Sequence, residues 1–152
     1  MNSMLIFFTV LSLIVIIFGA PIWFASSVEI LNKSNSKLKF IPVINEIRAE
    51  LLYWGPGPIL ISWIALFAAI AGKLLTWWYL YGTVWFFVFH YFLWIAVVAW
   101  YLAKSVAVFR LLRDMNLTGT GINIVYSIIY PVGYYMLQAA CKTYKAINGS
   151  DE

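Results

Sequence analysis

Residues 84–113 read VWFFVFHYFLWIAVVAWYLAKSVAVFRLLR, and positions 84–103 contain no Asp, Glu, Lys or Arg. About 20 apolar residues suffice for a helix to cross a hydrocarbon core about 30 Å thick. This stretch is longer than that, about 45 Å if wholly helical. Its last turns, with Lys104, Arg110 and Arg113, are therefore expected to emerge from the membrane. Composition extends the reading to the whole chain. Of its 152 residues 64% are hydrophobic and 11% charged, against the 45–50% and about 25% usual in soluble domains. A soluble fold this small leaves about 30% of its unfolded-state surface in water, so the apolar excess must face lipid or neighbouring membrane chains. The expected fold class is an all-α integral membrane protein with four transmembrane helices, and a short interfacial amphipathic helix between the first two.

Working towards the N-terminus, Gly82-Thr83 is the tightest place to reverse, and a second span covers 58–80. Its small residues Ala65, Ala68, Ala69 and Gly72 recur at helical spacing, a close-packing surface in membranes. Ala99, Ala103 and Ala107 form a matching stripe on 84–113. Lys73 can snorkel to the interface, and Trp77, Trp78, Tyr79 and Tyr81 form an aromatic belt. Gly55-Pro56-Gly57-Pro58 separates this span from an amphipathic helix over 42–54, with Pro42 at its first position and Ile44, Ile47, Leu51 and Trp54 on one face. That helix is expected in the headgroup layer, with Glu46 and Glu50 on a solvated face. Residues 29–41 are a polar loop. The first span covers 4–28, with a kink at Pro21. Its uncharged start and long apolar run suit a retained helix better than a cleaved signal.

Working towards the C-terminus, 114–121 is a loop rich in Asn, Thr and Gly. A fourth span follows over 122–140, kinked at Pro131, with a polar tail over 141–152. If all four helices span, one side carries Lys33, Lys37, Lys39, Arg48, Lys104, Arg110 and Arg113, and the other Lys73, Lys142 and Lys145. The positive-inside rule then places both termini on the non-cytoplasmic side of a plasma or inner membrane. If the fourth helix is instead re-entrant, Lys142 and Lys145 join the basic side.

Candidate chemistry is sparse. His90 is the single histidine and a weak candidate for cofactor binding. Its bulky neighbours Phe86, Phe87, Leu93 and Trp94 leave little room for a flat macrocycle, and the expectation is a neutral imidazole bonded to a neighbouring helix or a headgroup. Cys141 is the single cysteine, so the paired-cysteine patterns of zinc and redox sites are absent. No self-contained catalytic motif is present, and the net charge of +4 sits in loops and helix ends rather than on a nucleic-acid-binding face. Tyr126, Tyr130, Tyr134 and Gln138 recur every four residues and mark a partner-binding or polar-path face. These features point to a non-catalytic structural or assembly subunit of a larger membrane complex, with bound lipids, other transmembrane subunits and no predicted cofactor. The alternative is a small homo-oligomeric transporter or channel with its path along the fourth helix.

Overall fold

A computed structural model describes residues 3–31, 40, 41 and 43–149. Among them the chain forms six helices: α1 Ser3–Leu31, α2 Ile44–Tyr53, α3 Pro58–Tyr79, α4 Val84–Met115, α5 Thr120–Ile128 and α6 Tyr130–Asn148. Three are long and apolar enough to cross a membrane: α1, α3 and α4. The chain is thus an all-helical membrane protein. Pro42 and most of the polar loop expected over 29–41 lie outside the described residues.

Helices α3 and α4 form the most extensive pair. They reverse through Gly82, whose φ of 78° favours a residue without Cβ. Small residues bring the two together. Ala69 on α3 and Ala96 on α4 are buried, and a Cβ on Gly72 would lie 2.1 Å from the Phe89 ring. α1 runs through Pro21 as one helix and continues past the expected end at residue 28. Glu29, expected to begin the loop, pairs within the fold with Arg48 of α2, oxygen to nitrogen 2.8 Å.

The segment expected to form one kinked span over 122–140 is two helices. The chain breaks at Ile129, with φ −107° and ψ 80°: Pro131 has no N–H with which to continue the α5 ladder, and it fits instead in the first turn of a new helix, α6. Near the break the Tyr101 hydroxyl of α4 donates to the Ile128 carbonyl. At the other end Cys141 of α6 reaches Met115, sulfur to sulfur 3.6 Å. α5 therefore runs back along α4 from its C-terminal end to the level of Tyr101, and α6 returns beside it. A Cβ on Gly133 would lie 2.3 Å from the Tyr126 carbonyl oxygen, so that glycine permits the tight return. The tail expected over 141–152 is helical to Asn148 and buries Cys141.

The core collects where the C-terminal half of α1, α2, the start of α3, the end of α4 and α6 meet. It is built from Phe24, Val28, Ile59, Trp63, Val108, Leu111, Tyr134 and Leu137 among others. Among the described residues the backbone of α1 lies against α2 and α6 and not against α3 or α4.

Candidate functional site

The centre of this core is polar. α2 turns Asn45, Glu46, Ala49 and Glu50 inward, while Ile44, Leu51 and Leu52 face out. This reverses the expected solvated face for Glu46 and Glu50, which are 0% and 1% exposed. The reversal follows from the surroundings: where lipid covers the outside, the apolar face of a helix faces out and its charges need partners inside. Lys104, expected on a projecting end, is 1% exposed and ion-paired with Glu46.

Glu46 is a hub for three other helices. Its carboxylate accepts from Lys104 Nζ of α4, from Trp63 Nε1 of α3 at 2.9 Å and from the Tyr134 hydroxyl of α6 at 3.2 Å. Aromatic rings enclose the ammonium: its Nζ lies 4.3 Å from the Trp100 ring centroid, 5.0 Å from Trp63 and 5.4 Å from Tyr130. The π-faces attract the cation more strongly once water is excluded. Tyr134 is held in turn by Phe24 of α1, with stacked rings at 4.9 Å.

One helical turn along α2, Glu50 closes the start of α3. Its two oxygens accept from the Ile59 and Leu60 amides, each at 2.8 Å. The N-cap residue, Gly57, has no side chain to do this. Glu50 thus satisfies two of the amides that a helix start leaves unpaired and complements the helix dipole. Glycine is needed at position 57, since a Cβ there would lie 2.6 Å from Glu50 Oε1. Farther out, Arg110 stacks on the Trp54 ring, 4.8 Å from its centroid. Burial, with the Asp114 carboxylate adding to it, pushes the Tyr53 phenol above its usual value.

The residues singled out from sequence separate into several places. Tyr130 and Tyr134 join the Lys104–Glu46 cluster, and both are buried. Tyr126 lies on α5 and Gln138 farther along α6, each half-buried. The break at Ile129 therefore divides the four-residue row between two helices. Of the small residues, Ala69, Ala103 and Ala107 are buried, Ala65 and Gly72 half-buried, and Ala68 and Ala99 exposed. His90 is exposed, away from the cluster, and its Nε2 accepts from Trp94 Nε1 at 3.3 Å. Among the described residues no group of His, Cys, Asp or Glu is placed to hold a metal ion.

Sequence reading missed Glu46, Glu50 and Lys104 as a set. The available signal was two acids four apart on a helix with an apolar far side, together with a lysine inside an otherwise uncharged stretch. Nothing in that pattern says which face turns inward. Comparison with protein-family profiles, curated proteins and solved structures finds no match.

Proposed function

We propose that this chain is a non-catalytic subunit that helps to build a larger membrane complex. The observation that carries the reading is the exposed first half of α1. This helix is long and apolar enough to cross a membrane, yet residues 3–15 are exposed and its backbone does not approach that of α3 or α4. In this exposed half the Thr9 and Ser12 hydroxyls are satisfied within the helix, donating to the Leu5 and Phe8 carbonyls, each at 2.7 Å. Nothing on this half of α1 is reactive, while Phe7, Phe8, Leu11 and Ile14 offer bulky contact surface. Lipid tails are as apolar as these side chains, so association here rests on close packing with other helices.

The polar core supports the same reading. Its two carboxylates and its ammonium are spent on one another and on helix ends. The transporter alternative has less support, because its row of tyrosines is split between two helices.

The arrangement also favours three spans, with α5–α6 dipping into the membrane and returning on the side it entered. Lys142 and Lys145 then join Arg48, Arg110 and Arg113 on one side. The positive-inside rule places the C-terminus in the cytoplasm and the N-terminus across a plasma or inner membrane. In this reading lipids fill the open grooves on α4, one of them lined by Trp94, Ile95, Val98, Ala99 and Leu102. Purification from native membranes in a mild detergent tests the assembly reading. A defined larger particle with stoichiometric partner chains is expected, and a lone monomer with no co-purifying protein overturns it.

A further inference from the structure

The donors that surround Glu46 belong to helices that hold one another without α2. α4 packs on both α3 and α6. From these three come Lys104 Nζ, Trp63 Nε1 and the Tyr134 hydroxyl. The ring nearest the ammonium belongs to Trp100, whose Nε1 is buried and has no hydrogen-bond partner. An ammonium, the Trp63 indole N–H and the Tyr134 phenol thus converge on one carboxylate within an aromatic enclosure, a donor set suited to an anion.

The occupant of this donor set is the Glu46 side chain of α2. α2 packs its backbone on α1 and α3 but not on α4 or α6, so Glu46 crosses to Lys104 and Tyr134 by its side chain alone. The ends of α2 are irregular. Val43 has φ 68°, costly for a β-branched residue, and Gly55 has φ 79°. A second acid on the same face, Glu50, occupies the two amides at the start of α3.

From this geometry we propose that the Lys104 cluster binds the acidic headgroup of a membrane amphiphile, a carboxylate or phosphate on an apolar tail. α2 is then a lid whose Glu46 occupies the site until the ligand displaces it. Depth fits a headgroup rather than a tail. Lys104 lies about 30 Å along α4 from Val84, close to the side that carries Arg110 and Arg113. This inference is independent of the assembly reading and is tested separately from it.

Three proteins are compared in phosphatidylcholine nanodiscs: the wild type, E46A, and E46L/K104M, which replaces the charge pair with apolar side chains. Each is offered a photoactivatable fatty acid and a photoactivatable phosphatidic acid, both reactive near the headgroup, and adducts are mapped by mass spectrometry. Labelling of residues 100–104 or 130–134 is expected to rise at least about tenfold in E46A and to stay at or below the wild-type level in E46L/K104M, with thermal unfolding confirming that both are folded. Labelling by the fatty acid alone assigns a carboxylate ligand, by phosphatidic acid alone a phosphate; labelling by both assigns a site that reads charge only. A folded E46A that labels no more than the wild type overturns the proposal, as does labelling that survives the loss of Lys104. Should E46A fail to fold, E50Q loosens α2 while keeping the Lys104–Glu46 pair, and is judged against the wild type by the same criterion.

Discussion

At the scale of single residues, the fold turns on an ion pair that neither partner could sustain alone. An ammonium or a carboxylate held in an apolar core without its partner costs several kcal/mol, whereas replacing both with apolar groups of similar volume is often neutral or stabilising. Glu46 and Lys104 are almost wholly buried, so this asymmetry applies to them in full. Glu46→Gln or Lys104→Met alone is expected to destabilise the protein by about 3–5 kcal/mol, while the E46L/K104M double variant loses less than either single variant, its remaining loss coming from the Trp63 N–H and Tyr134 hydroxyl left without an acceptor. Unfolding in mixed detergent micelles measures both; equal losses in the single and double variants would contradict the account. Cys141 gives a second check. Burial, partly offset by a contact with Ser27, pushes its thiol up to about 12, and thiolate is the reactive form. Maleimide should therefore leave the folded protein unmodified near neutral pH, react faster as pH rises towards that value, and modify the denatured chain fully. Rapid labelling of the folded protein at neutral pH would show that Cys141 is not sealed between α6 and Met115.

At the scale of elements, α5 and α6 make the sharpest topological statement. The contacts of Tyr101 with Ile128 and of Met115 with Cys141 place the turn of this hairpin alongside α4 and its exit at the C-terminal end of α4. With Cys141 replaced by Ser and single cysteines introduced, Asn148→Cys and Arg113→Cys should react with an impermeant thiol reagent from the same side of sealed vesicles, and Ile129→Cys from neither. Labelling of Asn148→Cys and Arg113→Cys from opposite sides would restore a fourth full span. The sequence made the spanning helices legible because length and unbroken apolarity are local properties: 58–80 and 84–113 became α3 and α4 with shifts of one or two residues. The break at Ile129 was only half legible. Pro131 marks the place, but whether a helix bends or reverses there depends on Tyr101 taking the Ile128 carbonyl, which is a tertiary contact. The inward face of α2 was not legible at all. Its pattern of Asn45, Glu46 and Glu50 opposite Ile44, Leu51 and Leu52 fits a wet outer face or an inner polar core equally well. The choice rests on Lys104, 58 residues away along the chain.

At the scale of the whole molecule, the helices converge at one end and separate at the other. The backbone of α1 does not approach that of the α3–α4 hairpin among the described residues. The hairpin end is densely aromatic, with Trp77, Trp78, Tyr79, Tyr81 and Trp85 exposed, as suits a headgroup layer. Lys73 stays there by lying over the Phe86 ring, its Nζ 3.3 Å from the centroid. The open flank between this hairpin and the first half of α1 is where the account requires another chain. A photoreactive amino acid placed at Leu11 and activated in the native membrane tests that requirement most directly. A discrete protein adduct of reproducible mass, abolished when the membrane is first dissolved in harsh detergent, is the predicted result. Adducts to lipid alone, with no protein captured from any position along residues 4–15, would contradict it.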